Sequence, residues 1–374
     1  MHLVMTLMVR DEADVIGAML EHHARQGVDV FIITDNGSVD GTTEIIKSFA
    51  ERATVDLRID PEHRKQQTFT VTKMARDAAS IHKADWVINA DADEFWFPVD
   101  RKRTLKDVFS EIPKSLGSFT VPVHDMIGAP ALSGSGLSRL IYRDQRSDEM
   151  LRSVGLRSHS TPDAVHIGDP QIVVAQGNHS VNLASTGEPD PALAIEVMHF
   201  PWRSWQQYHR KVENAGRAYA NNSGLSPSPN HHGMREYRRL QDGLLQGAYI
   251  ARHPNHDELA EGLESGWFVV DTGVAAEDLP GATDSLYSEE TIAFERAIAA
   301  TTRVLEERMN DAEVQRIAVV NERDGVKGEL NALRARLEDL EAETAERNSR
   351  PLVRASNLLA RVRRRLARQI ARSR

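Results

Sequence analysis

The sequence predicts an α/β fold, a mostly parallel sheet with flanking helices followed by a long C-terminal helix or coiled coil. Three observations carry this. Apolar, β-branched runs alternate with helix-spaced segments over residues 1–125. Glycine and proline punctuate the chain as far as Pro280; from there to Pro351 there is no proline, and glycine stands only at Gly281, Gly325 and Gly328. Within that stretch Leu330, Leu333, Leu337 and Leu340 form a short heptad seam among glutamates and arginines.

The elements follow in order. Leu3 to Met8 reads as a short apolar strand. Asp14 to Gln26 has helical spacing through Ile16, Met19, Leu20 and His23, and Gly27 is a good helix stop. Val28 to Thr34 is a second strand, Asp35-Asn36-Gly37-Ser38 a loop, and Thr42 to Arg52 a helix. Val55 to Ile59 is a third strand, Phe69 to His82 a helix, and Trp86 to Ala90 a fourth strand. Ile172 to Ala175 and Ile195 to His199 read as further apolar strands. A helix of some 60 residues starts near Ser288. A second helix follows Pro351, with Leu358, Leu359, Val362, Leu366 and Ile370 on one face and arginines over much of the rest.

Composition narrows the function. The 374 residues are 40% apolar and 27% charged, which fits two or three units with an enzyme-sized core. There is no cysteine, so disulfides, thiolate metal sites and a cysteine nucleophile are excluded. No apolar run is long enough to span a bilayer, and the N-terminus does not read as a signal peptide. The expected location is cytoplasmic, with peripheral contact at the inner membrane face. The net charge is −9, yet residues 349–374 carry nine arginines and no acid. The acidic body excludes nucleic acid as the expected partner. The tail suits an anionic membrane surface; a disordered basic tail or a helix docked on an acidic partner is the alternative. The seam is read as self-association into a homo-oligomer, against a solvated helix folded back on the body.

Three polar stretches fall at the carboxyl ends of strands, where such sheets bind ligands. In Trp86 to Phe95 an apolar strand runs into Asp91, Asp93 and Glu94. Carboxylates so close repel, and a divalent cation resolves the conflict; oxygen donors suit Mg²⁺ or Mn²⁺ shared with substrate phosphates. In Asp35 to Thr42, Asp35 can accept hydrogen bonds from a base or ribose, Gly37 permits a tight turn, and Asp40 and Thr42 are helix caps. In Val9-Arg10-Asp11-Glu12, the planar fork of Arg10 suits a diphosphate, while Asp11 or Glu12 can cap the next helix.

Together these stretches resemble the family-two glycosyltransferases of the GT-A fold. The resemblance is to the bacterial branch with an N-E-A-D-like start, a D-N-G-S-T-D-G-T loop and an A-D-W-x-x-x-x-D-x-D-E-F metal strand. Here the segments are Val9 to Asp14, Asp35 to Thr42 and Ala84 to Phe95, with Asp11 in place of the usual Asn and Val39 in place of Thr. The match is clear over residues 3–97, thinner over 115–220 and absent beyond about 275. It implies a nucleotide-sugar-binding half over 1–125 and an acceptor-side half over 126–280, ahead of the long helix at 288–348 and the basic tail at 349–374.

By position, the resemblance assigns Arg10, Glu12 and Asp35 to the nucleoside and Asp91 and Asp93 to the metal–diphosphate, with Mn²⁺ or Mg²⁺ as cofactor. Arg76 matches a helix that faces the diphosphate, an ordinary surface arginine being the alternative. His199, followed by Ser204, Tyr208 and Lys211, resembles the "H-[YF]-x-x-[KR]-S…K" segment and would bind the metal or the diphosphate; the alternative is a core or surface histidine. His179 is a candidate for donor phosphate or acceptor. Nine of the fifteen histidines lie between His159 and His256, which weakens the signal of any one. Asp125 is the first candidate for the base that deprotonates the acceptor, with Asp144 and Glu149 as alternatives.

The function so implied is metal-dependent transfer of a sugar, with inversion, from a nucleotide sugar to a hydroxyl of a glycan, a lipid-linked intermediate or another surface molecule. It would serve polysaccharide biosynthesis. A nucleotidyltransferase and a non-enzymatic coiled-coil scaffold with a degenerate transferase domain are the other readings. The glycine-free Met8 to Glu12 argues against the first, and the intact Asp91 and Asp93 pair against the second.

Overall fold

The computed structural model describes residues 1–61, 67–220, 232–349 and 351–371. They form two units, Met1–Thr302 and Arg303–Arg374. The first begins with β1 (Leu3–Val9), α1 (Ile16–Arg25), β2 (Val30–Asp35), α2 (Thr42–Phe49), β3 (Val55–Ile59), α3 (Gln67–Ser80) and β4 (Trp86–Ala90). Strands β3, β2, β1 and β4 lie side by side and parallel, so their carboxyl ends share one edge. β1 is the buried centre. Its Leu3, Met5, Leu7 and Val9 enter one core, while Val4 faces the other, under Val71, Met74, Ala75 and Ala78 of α3. Helices on both faces explain why β1 reads as a continuous apolar run. Gly27 ends α1 with φ +86°.

The chain continues through β5 (Glu94–Pro98), α4 (Leu105–Glu111), β6 (Ser118–Val121), β7 (Val123–Ile127), β8 (Ala131–Ser133), β9 (Tyr142–Asp144), α5 (Asp148–Ser153), β10 (Asp163–Ile167) and β11 (Ile195–His199). Then come α6 (Trp205–Ala220), α7 (His232–Gln241), α8 (Leu245–Arg252), α9 (His256–Ser265), β12 (Phe268–Val270) and β13 (Ser285–Leu286). β10 and β6 extend the first sheet, β10 antiparallel to both neighbours. A second sheet runs β12-β9-β7-β11-β5. Its register sets His199 beside Glu94 on β5 and beside Asp125 on β7. The acid-rich turn after β4 therefore leads straight into an edge strand whose neighbour β11 carries His199, with Asp125 one strand further on.

One expected strand is corrected. Ile172 to Ala175 forms only a bridge between Val174 and Val181. Backbone groups of Ile172 and Val174 turn to α3, where Arg76 Nε donates to the Ile172 carbonyl at 2.7 Å and the Val174 N–H donates to Thr72 Oγ1 at 3.0 Å; those of Val173 and Ala175 bond Asn182 and Ser180. The chain then reverses through Gly177 and Asn178, at φ +78° and +63°.

α10 (Glu289–Ser349) begins in the first unit, with the Thr291 N–H donating to Ser288 Oγ at 3.2 Å. In the second unit α10 runs on, and α11 (Pro351–Ile370) follows. Leu330, Leu333, Leu337 and Leu340 are 46–65% exposed, so among the described residues none covers the expected seam.

Burial of neutral histidines ties the fold to pH. His253 is buried, with Nδ1 2.9 Å from the Gly128 carbonyl. Burial, with Arg139 next in weight, pushes it down to about 3. The unfolded chain protonates it near pH 6.5, so its contribution to stability is complete above that pH and is lost as pH falls towards 3. In urea unfolding, the gap between the parent and His253→Gln is expected to shift by about 1.4 kcal/mol per pH unit between pH 6 and 4, the parent losing more. Parallel pH curves would contradict this.

Candidate functional site

The site is built where β1, β2 and β4 end. After β1 the chain turns sharply, with Asp11 at φ +56°. Asp11 accepts from the Val39 N–H and from Asn214 Nδ2, both at 2.8 Å. Arg10 reaches the Asn36 carbonyl through Nη1 at 2.5 Å, so the β1 and β2 loops are tied together. Asp35 is buried; its oxygens accept from the Ser38 N–H at 2.8 Å and from the Thr43 hydroxyl. Asp40 accepts from the Thr42 N–H and hydroxyl at the start of α2, and pairs with Arg210 Nη1 at 2.8 Å.

The turn after β4 carries the chemistry. Asp91 has amide donors at the margin of hydrogen bonding, Gln67 Nε2 and Asn178 Nδ2, each at 3.4 Å. Burial and the neighbouring Asp93 raise Asp91 to about 6. Glu94 accepts from the Asp91 N–H, and burial together with Asp163 and Asp91 raises it well above the usual range. Asp93 goes the other way. Burial would raise it, but Lys211 at 2.8 Å, His199 Nε2 at 3.8 Å and Arg203 Nη1 at 3.4 Å hold it well below the ordinary value.

The cations come from the segment after β11 and from α6. Arg203 has no solvent exposure; it binds Glu12 through Nη2 and Asp14 through Nε at 2.8 Å. Glu12 still rises to about 7, because its burial outweighs the pull of Arg203 and because Asp93 is near. Arg210, Lys211 and Asn214 sit within one turn or so of α6, and they contact Asp40, Asp93 and Asp11. One helix thus gathers the loops after all three strands.

Two of the expected site residues, Asp125 and Arg76, have other partners in the structure. Asp125 is not arranged as a free base. Its Oδ1 accepts from Ser160 Oγ at 2.6 Å and lies 2.8 Å from His199 Nδ1, while Oδ2 accepts from the Ser160 N–H at 3.1 Å. Burial is overcome by His159, His199 and Ser160, which hold Asp125 well below the carboxylate range and make it a poor proton acceptor. It positions His199, whose own value is raised, against burial, by Asp125 and Asp93. Arg76 donates through Nε to the Ile172 carbonyl at 2.7 Å. The alternatives also fall elsewhere: Asp144 is paired with Arg146, and Glu149 lies in the exposed first turn of α5.

His179 stands at the rim. Its Nδ1 is 3.1 Å from Oδ1 of buried Asp163, which raises the imidazole's value, and its side chain is 43% exposed. A methyl group at Gly177 would lie 2.7 Å from Nε2, so glycine there keeps that nitrogen clear. Sequence reasoning did not single out Arg203, Asp163, Ser160, Gln67 or Asn178 as site residues. For Arg203 a signal existed: it stands four residues after His199, in a chain already rich in acids at the strand ends.

Among the described residues no three histidine or acidic side chains already converge on one point to hold a metal. Asp93 Oδ2 lies 3.8 Å from His199 Nε2.

Residues 5–126 match glycosyltransferase family 92. No curated protein matches the chain. Among solved structures the chain is similar to TarS of S. aureus, residues 1–349, at 13% identity over 68% of this chain and 81% of that one, with a TM-score of 0.33. The same protein in complex with UDP is matched at 12% identity over 83% and 92%, TM-score 0.33. Glucosyl-3-phosphoglycerate synthase from Mycobacterium tuberculosis, with Mn²⁺, UDP and glucosyl-3-phosphoglycerate, is matched at 13% over 68% and 81%, TM-score 0.28. At these scores the structural likeness carries no argument. The family match, over about a third of the chain, supports a glycosyltransferase domain in residues 5–126.

Removing one partner of a buried ionic cluster strands the rest. Arg203→Met is expected to cost about 3–5 kcal/mol in chemical unfolding. Lys211, 46% exposed at its side chain, is expected to cost under about 1 kcal/mol as Lys211→Met. Equal losses would contradict the ranking.

Proposed function

We propose that the first unit is a metal-dependent glycosyltransferase of family-two type, moving a sugar from a nucleotide sugar to an acceptor hydroxyl. The observation that carries this is the excess of carboxylates at the shared carboxyl edge: Glu12, Asp91, Asp93 and Glu94 gather there, and three of the four are raised by burial and mutual repulsion. A donor diphosphate adds negative charge there, and a divalent cation between the two sets of oxygens resolves the repulsion.

The residues fit such an ion. His199 has Nδ1 locked on Asp125, the usual support for a histidine that ligates through its other nitrogen, and that Nε2 faces Asp93. Asp93 and His199, with Asp91 directly or through water, would hold Mn²⁺ or Mg²⁺ together with phosphate oxygens. When bound, the ion neutralises charge on the leaving diphosphate. Lys211 supplies a fixed positive group beside the same carboxylate, and Arg10, beside the Asn36 turn, supplies another towards the nucleotide. Asp35 shapes that turn, and each of its oxygens retains a lone pair for a base or ribose.

His179 takes the part first assigned to Asp125. Its Nε2 accepts the acceptor's hydroxyl proton, the freed oxygen forms a bond to sugar C1, and the C1–O bond to the diphosphate breaks with its electron pair leaving on phosphate. Asp163 orients the ring and stabilises its charged form, as in other carboxylate–histidine pairs. The acceptor is a glycan, a lipid-linked intermediate or another surface molecule. Self-association belongs to the same reading, through the Leu330 to Leu340 stripe of two chains; a monomer at all concentrations in sedimentation would contradict it.

Thermal unfolding tests the donor site. UDP is the first nucleotide to use, within a panel of nucleoside diphosphates, with and without Mn²⁺. At 100 times its dissociation constant a ligand stabilises by about 2.7 kcal/mol. The expected shift needs Mn²⁺ and disappears in Asp91→Asn/Asp93→Asn. No shift with any nucleoside diphosphate would overturn the reading. His179→Gln is expected to keep the nucleotide shift and to slow release of nucleoside diphosphate from nucleotide sugars by about 10²–10⁴-fold; an unchanged rate would remove His179 from the chemistry.

A further inference from the structure

We propose that α11 is a surface-binding helix for an anionic lipid bilayer, lying along the headgroup boundary. This goes beyond the reaction and does not depend on it.

α11 is 20 residues long, and Leu352, Leu358, Leu359, Val362, Leu366 and Ile370 are each at least 49% exposed. On a helical projection these six fall within an arc of about 120°. Arg354, Arg361, Arg364 and Arg368 occupy the rest of the circumference, and Arg363 and Arg365 sit at the two borders of the apolar arc. There is no acidic residue from Pro351 to the end of the chain. No helix among the described residues is long and apolar enough to cross a membrane.

The two faces together select the partner. A second α11 would meet six arginines with six, without a compensating acid, and the copies would repel. A nucleic acid or an acidic protein surface would engage the arginines and leave the apolar arc in water. A wide apolar arc also differs from the narrow two-position seam of a coiled coil. An anionic bilayer meets both needs, since acyl chains at the boundary take the leucines while lipid phosphates take the guanidinium groups. Arg363, at the edge of the apolar arc, is placed to extend its stem along that arc and hold its head at the phosphate level.

The test is sedimentation of the full-length protein with phosphatidylglycerol or phosphatidylcholine vesicles, at low and high salt. Binding is expected to phosphatidylglycerol alone and to weaken as salt shortens the screening length. Arg361→Gln/Arg364→Gln/Arg368→Gln is expected to weaken it by about 100-fold. Leu358→Ser/Leu366→Ser is expected to weaken it by about as much. Unchanged thermal unfolding of the first unit and unchanged helical circular dichroism show that both variants remain folded. Failure to bind phosphatidylglycerol vesicles overturns the proposal. So does equal binding to phosphatidylcholine. Binding lost in the arginine variant but kept in the leucine variant also overturns it, and assigns the helix to a polyanionic surface instead.

Discussion

The buried guanidinium of Arg203 is the interaction on which the rest of the site depends. It joins Glu12 and Asp14 from the turn after β1 to Asp93 from the turn after β4, and Nη1 also donates to the Phe200 carbonyl at 3.2 Å. Those turns come from parallel neighbours whose carboxyl ends would otherwise crowd like charges together. Taking a guanidinium out of water costs several kcal/mol, and only its set of fitted carboxylates offsets that. Once Arg203 is seated, α6 starts at a fixed place, and Arg210, Lys211 and Asn214 fall onto the remaining loops. The helix is held to the sheet edge by charge more than by apolar contact.

Because these cations gather on Asp93, the carboxylates divide. Asp93 is held ionised, while Asp91, Glu94 and Glu12 are raised towards neutrality. Two environments a few residues apart give similar groups different tasks, a pattern found where chemistry is done at neutral pH. The Asp125–His199 pair extends the arrangement from the second sheet, and Asp163–His179 repeats its logic at the exposed rim. On the proposed function, an edge so rich in acid would take an anionic donor only together with a cation.

The sequence made the first half of the sheet legible, and the reason is local. β4 is a short, largely apolar run and β3 an apolar/charged alternation; both stop at turns, and both were read at the bounds the structure shows. Asp91, Asp93 and Glu94 were visible because they are adjacent in sequence. Arg203 stood at the [KR] position of the histidine segment, but its partners Asp14 and Glu12 lie 189 and 191 residues earlier, and no spacing reveals that return of the chain to the β1 turn. Asp125 was read as a free carboxylate, since its partners His159, Ser160 and His199 lie 34 to 74 residues further on. Ile172 to Ala175 has the composition of a strand, but Ile172 and Val174 bond side chains of α3, while Val173 and Ala175 bond the short return at Ser180 and Asn182. The helices after β11 were illegible for another reason. Tyr208, Glu236, Arg239 and Arg252 are buried between them, so polar groups occupy positions where an apolar stripe would have been sought.

The most direct test of the account is the coupling between cation and nucleotide, measured by titration calorimetry of UDP with and without Mn²⁺ and of Mn²⁺ with and without UDP. If the acidic edge admits a diphosphate only through a shared cation, each ligand tightens the other by the same factor, a coupling of about 1–3 kcal/mol. UDP affinity that is independent of Mn²⁺, or that falls when Mn²⁺ is added, would contradict it.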